Sequence, residues 1–109
     1  YILCILIIMN LIFEVLDKNG RKIHLTKERW SHITSQFSLH PYMTNYLEEI
    51  KEALVKPIKI IMHTLDNKKA DYYLYLKEKK LYLLVGVKYL NGNGFITTAF
   101  LTRKLMKKL

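Results

Sequence analysis

Four histidines, Arg29 and the threonines of the last strand are the groups in this 109-residue chain that could carry chemistry. His24, His32, His40 and His63 show neither the i, i+4 pairing nor the carboxylate companions of a zinc or iron site, so no metal is expected. Nothing marks Cys4 or a serine as a nucleophile. Asn91-Gly92-Asn93-Gly94 joins two strand patterns and precedes no helix, so it is a turn and not a phosphate cradle. What remains suits RNA cleavage without a cofactor. In that reaction a base takes the 2′-hydroxyl proton, an acid protonates the leaving 5′-oxygen, and cations or donors surround the phosphorane.

Histidine is the side chain that can serve either role near neutral pH. His32 stands one helical turn from Glu28 and beside Arg29, off the apolar stripe of its helix, and is therefore open to a cleft. His40, at a helix break, is a second candidate. An ordinary surface histidine is the alternative at each position. His24 and His63 read as structural, each in a strand without polar neighbours in sequence. Thr98 and Thr102 share one row of the last strand and offer hydroxyl donors, although threonine is also simply a good strand former.

The elements that must position these residues follow from pattern. Leu11 to Leu16 and Ile23 to Leu25 flank Asp17-Lys18-Asn19-Gly20, a hairpin signal because Asn and Gly tolerate positive φ. Thr26 sits where an N-cap belongs, ahead of a helix from Lys27 to Phe37 with Trp30, Ile33 and Phe37 on one face. His40-Pro41 breaks it. Thr44 can cap a second helix through Leu54, with Leu47, Ile50 and Leu54 inward, and Pro57 ends it. The period then becomes two, and residues 58–65, 71–77, 81–90 and 95–103 read as strands joined by short turns. The expected fold is α+β: a β-hairpin, two α-helices, then a four-stranded antiparallel meander with the helices packed on one face.

Alternation assigns the faces. Tyr72, Leu74 and Leu76, with Leu81, Leu83, Val85 and Val87, form the aliphatic face for the helices. Tyr73, Tyr75, Lys77, Tyr82 and Lys88 lie on the other, where rings can stack on bases and ammonium groups can meet phosphates. Tyrosines and lysines on a half-exposed sheet are also common for strand reasons alone.

Composition sets the outer bounds. Half the residues are hydrophobic and a quarter charged, with four Gly and two Pro, which excludes a disordered tail or a collagen-like repeat. The single cysteine excludes an internal disulfide and points to a reducing, cytoplasmic setting. Residues 1–8 read as an apolar extension, too short for a bilayer span, ahead of one domain over 9–109 for which Met9 is a natural start. Net charge is +9, and it is lopsided. Residues 1–65 hold eight basic and six acidic side chains, residues 66–109 ten and three. RNA is the natural partner of such a surface, with a Lys-rich composition unrelated to binding as the alternative.

The string GRKIHLTKERWSHI, a His-Pro turn, a helix ending in Pro57, YYLYLK and a closing ITTAFLT together resemble the phage- and toxin-associated branch of the barnase–EndoU–colicin–RelE-like (BECR) nucleases. The L-T-x-E-R-W-x-H-I segment is the specific part, and the likeness spans residues 20–103. Tyr42 after His-Pro departs from the acidic residue common there. The resemblance implies an RNase, often a toxin neutralised by an acidic antitoxin protein. Carried over by position, it implies acid/base work for His32, with His40 at a further polar position. It also implies substrate or phosphate contacts for Tyr73 and Thr98, and a phosphate clamp at Arg21. Arg29, Lys77 and Lys88 complete the expected RNA-binding set. A non-catalytic nucleic-acid-binding or assembly module using the same surface is the second reading. A cleft-facing His32 beside Arg21 and Tyr73 favours the enzyme, whereas one buried in the core or out in open solvent favours the binder.

Overall fold

The structure, a computed structural model, describes residues 11–35 and 41–105. Phe37, His40 and the 1–8 extension lie outside the described residues. The elements in chain order are β1 (Leu11–Leu16), β2 (Lys22–Thr26), α1 (Lys27–Thr34), a 3-10 turn (Pro41–Tyr46) and α2 (Leu47–Val55). There follow β3 (Lys59–Met62), β4 (Lys69–Leu76), β5 (Leu81–Tyr89) and β6 (Asn93–Thr102).

The hairpin forms at the expected turn. Asp17 heads it, its carboxylate accepting from the Asn19 and Arg21 backbone N–H groups at 2.9 and 2.8 Å. Gly20 takes φ +83°, the left-handed region that glycine enters without a Cβ clash. The hairpin does not stand apart from the later strands. β2 pairs in parallel with β6, with Lys22 opposite Asn93, Ile23 opposite Gly94 and His24 opposite Phe95. One six-stranded mixed sheet results, in the order β1-β2-β6-β5-β4-β3, in place of a separate four-stranded antiparallel meander. Both strands carry an apolar row under the same helices, and pairing them closes two open edges. The helices and three strands between them give the long connection that a parallel pair needs.

Gly94 holds that seam close. A Cβ there would stand 2.7 Å from the Lys88 carbonyl oxygen and 3.0 Å from the Ile23 Cδ1. Backbone cannot retreat as a side chain can. Gly94→Ala is therefore expected to cost about 2 kcal/mol, the scale of overpacking in a closed site. Urea unfolding checks this, and a loss under ~0.5 kcal/mol would show that the strands part easily.

Helix α1 begins as anticipated, Thr26 Oγ1 accepting from the Arg29 backbone N–H at 3.1 Å. Ile33 enters the core and Trp30 packs at its margin. Helix α2 starts later than expected. The chain first makes the 3-10 turn from Pro41, and Tyr46, not Thr44, takes the N-cap position. Met43, Ile50, Ala53 and Leu54 are fully buried against Ile23, Leu25, Tyr72, Leu83, Val85, Val87, Ile96 and Ala99. The aliphatic sheet face thus takes the helices.

Strand β3 is shorter than its apolar run, ending at Met62, because a turn centred on Asp66 intervenes. The Asp66 carboxylate accepts from the Lys68 N–H at 2.9 Å, and Leu65 is left wholly exposed. In β6 an extra residue, Thr97, bulges out, so that Gly86 faces Thr98 while Val87 faces Ile96.

Candidate active site

A cleft of about 200 Å³ opens where β2, α1 and the start of β6 meet, lined by His24, Thr26, Glu28, Arg29, His32, Phe95 and Ile96. Each wall has a local cause. Alternation along β2 sends Ile23 and Leu25 into the core and leaves His24 and Thr26 on the opposite row. The parallel seam brings Phe95 beside His24, with ring centroids 6.1 Å apart and planes at 33°. The Thr26 cap fixes the first turn of α1, so Glu28, Arg29 and His32 leave it on the cleft side. Glu28 Oε1 lies 3.9 Å from His32 Nε2, an ion pair when the imidazole is protonated.

The cleft therefore gathers two imidazoles, a guanidinium, a carboxylate, a hydroxyl and a flat aromatic ring. The imidazoles can exchange protons, the guanidinium can hold phosphate oxygens, and the ring can carry a base. Among the described residues no group of three His, Cys, Asp or Glu side chains is placed to hold a metal ion. No described helix is long and apolar enough to cross a membrane.

The other anticipated residues fall elsewhere. Tyr73 is fully buried, its ring edge-on to Tyr82 at 6.5 Å, so it offers no surface to a substrate. Leu84, only 2 % exposed, is buried on the same row as Tyr73 and Tyr82, and an open tyrosine platform across the sheet is not what the fold presents. Tyr75 and Tyr82 remain accessible, with centroids 5.0 Å apart. Thr98 sits beside the bulge, its methyl against Gly86, and does not line the cleft. Arg21 and Lys88 share a second hollow at the turn end of the sheet. Lys77 stands at the far end of β4, near Tyr46 and Tyr75. His40 lies outside the described residues. Among the described residues of the anticipated set, His32 and Arg29 line the cleft, while Arg21 and Lys88 line the second hollow.

Two histidines read as structural have polar or aromatic company after all. His24 lines the cleft, and its neighbour Phe95 lies seventy-one positions away in sequence. The one local signal was its place two residues before the Thr26 cap, on the row opposite Ile23 and Leu25. His63 places Nε2 3.2 Å from Asp71 Oδ1, a cross-strand pair within the β3–β4 hairpin. Asp71 is itself buried. At the other end of the hairpin turn, the Lys68 backbone N–H and then the Lys88 ammonium hold Asp66 below the usual carboxylate range.

No family model, no curated protein and no solved structure matches this chain.

Proposed function

We propose that the protein is a small metal-independent endoribonuclease of BECR type, a toxin or phage-associated effector working in the cytoplasm. The observation that carries this reading is the convergence of His24, His32 and Arg29 in one cleft beside the Phe95 ring. One imidazole removes the 2′-hydroxyl proton as that oxygen attacks phosphorus. The other delivers a proton to the 5′-oxygen as its bond to phosphorus breaks, leaving a 2′,3′-cyclic phosphate. Arg29 faces the charge that builds on the phosphorane oxygens. The +9 net charge draws the polyanion in, and the same charge suits an acidic neutralising protein.

His32 is 67 % exposed on its side chain, which is the observation favouring the second reading, a module that binds RNA without cutting it. A polymeric substrate can itself close over such a residue, and two imidazoles lining one cleft give it more than binding requires. The deciding experiment is incubation of end-labelled total RNA with the purified protein in EDTA. Fragments ending in 2′,3′-cyclic phosphate are expected, at a rate indifferent to the chelator. RNA that stays whole yet is retained with a steep salt dependence would replace the nuclease with the binding module.

A further inference from the structure

The second hollow, about 910 Å³, lies at the turn end of the sheet and is lined by Arg21, Lys68, Lys88, Tyr89, Asn91 and Asn93 among others. Its chemistry differs from that of the cleft. The Arg21 guanidinium carbon sits 4.3 Å above the Tyr89 ring, so the plane of the fork is fixed by stacking while its edge stays available to an anion. Tyr89 is itself held by a hydroxyl contact with Tyr72 at 2.7 Å. Asp66 arranges the opposite rim, accepting from the Lys68 backbone N–H and pairing with Lys88 Nζ at 3.1 Å. Asn93 adds a different demand, since its Oδ1 is buried and meets no donor among the described residues. A buried acceptor left without a donor is costly, and a ligand that supplies one relieves it.

We infer that this hollow is a nucleotide subsite, in which Arg21, Lys68 and Lys88 take a phosphate while a ribose hydroxyl or base N–H donates to Asn93 Oδ1. It rests on the nuclease reading for its place in catalysis and extends it to the path of the RNA. Lys22 and Asn93 pair two residues before His24 and Phe95 on the parallel seam. Two strand residues span about 7 Å. That is about two nucleotides at the ~3.4 Å rise of a stacked strand. Lys88 joins the two places, because it lines the hollow and stands opposite Phe95 of the cleft in the β5–β6 register. A single RNA strand seated with its scissile linkage at His24 and His32 therefore lays a nucleotide about two positions along in the hollow.

Binding tests this apart from cleavage. Fluorescence anisotropy with a labelled oligouridylate, in the His32→Ala background so that the probe stays whole, compares Lys68→Ala and Arg21→Ala with their parent. Lys68 is exposed, so its variant keeps the fold even if Arg21→Ala disturbs Tyr89. Each variant is expected to weaken binding several-fold and to lower the slope of log affinity against log salt by about 0.7, one phosphate contact on a single strand. Unchanged affinity and slope in Lys68→Ala would overturn the subsite, whatever the cleavage assay shows. Failure of the nuclease reading alone would appear as intact RNA with wild-type protein while these affinity differences persist. In an amide NMR titration, uridine 5′-monophosphate is expected to shift Lys68, Gly92 and Asn93 more than inorganic phosphate does. Equal shifts from both would overturn the nucleotide role of Asn93.

Discussion

On the proposed mechanism, replacing His32 by alanine, or His24 by alanine, is expected to lower metal-free RNA cleavage by about 100-fold or more, the range that general acid–base catalysis supplies. Both imidazoles line the same cleft. The reaction needs a proton removed and a proton delivered, so losing either partner leaves one transfer to water. Because the two act on one passage through the transition state, the double variant should fall little below the worse single. The loss is expected in kcat more than in KM, since the proposed mechanism assigns RNA binding mainly to Arg29 and the basic surface. Arg29→Ala, by contrast, should also raise KM.

Among the described residues the exposed His32 makes only the long contact to Glu28, so its variant should melt with the parent, within the ±0.5 kcal/mol usual for surface changes. A lower rate there cannot then be ascribed to unfolding. For His24, which stacks against Phe95, asparagine is the second variant, polar and of similar reach. Single-turnover cleavage of a short labelled RNA reads all of them. Wild-type cutting by both His24 variants would leave His24 a stacking residue and remove the paired-imidazole mechanism. Wild-type cutting by His32→Ala would move the chemistry out of this cleft altogether.

What was legible in the sequence was what local pattern controls. Asp17-Lys18-Asn19-Gly20 gave the hairpin turn and Thr26 the start of α1, because a turn and a cap depend on residues within four positions. Period-two alternation placed Tyr72, Leu83 and Val85 toward the helices. The same alternation could not say what covers the opposite row, so Tyr73 was expected at a surface where it is in fact buried. The largest difference came from pairing across long separations. Nothing near Ile23 announces Gly94, yet their register joins the hairpin to the later strands and makes the sheet six-stranded. That seam also builds the cleft, for it brings Phe95 to His24. Arg21 and His32 lie only eleven positions apart in sequence, and β2 between them carries them to different hollows. A site assembled across a parallel crossover is invisible to spacing.

Asp17→Ala is expected to be the most destabilising of these substitutions, at about 3 kcal/mol. Asp17 is buried, and its carboxylate accepts from the Asn19 and Arg21 backbone N–H groups and from the Tyr72 hydroxyl. Alanine leaves the buried Tyr72 hydroxyl with Tyr89 alone and takes the acceptor from two part-buried backbone N–H groups, and a buried donor that loses its acceptor costs about 1–3 kcal/mol. Guanidinium unfolding gives the difference directly, and the melting point should fall by on the order of 15 °C for a domain of this size. A loss under ~0.5 kcal/mol would mean that water replaces the carboxylate. Tyr72→Phe removes the hydroxyl's bonds to Asp17 and Tyr89 but keeps the backbone ones and should cost less, about 1–2 kcal/mol, and it carries a pH signature. Burial first, then the bonds to Asp17 and Tyr89, push the Tyr72 phenol far above its ordinary range. The unfolded chain releases that proton near pH 10 while the folded chain keeps it. The contribution of Tyr72 is therefore full below pH 10 and declines as pH rises above it, so the gap between wild type and Tyr72→Phe should narrow between pH 10 and 11. A gap that stays constant over that interval would show a phenol titrating as if exposed. Because Tyr89 links Tyr72 to the stacked Arg21, Asp17→Ala should also loosen the guanidinium proposed to take phosphate in the second hollow. The buried carboxylate that holds the turn end of the sheet is thus also linked to the side chains of the proposed subsite.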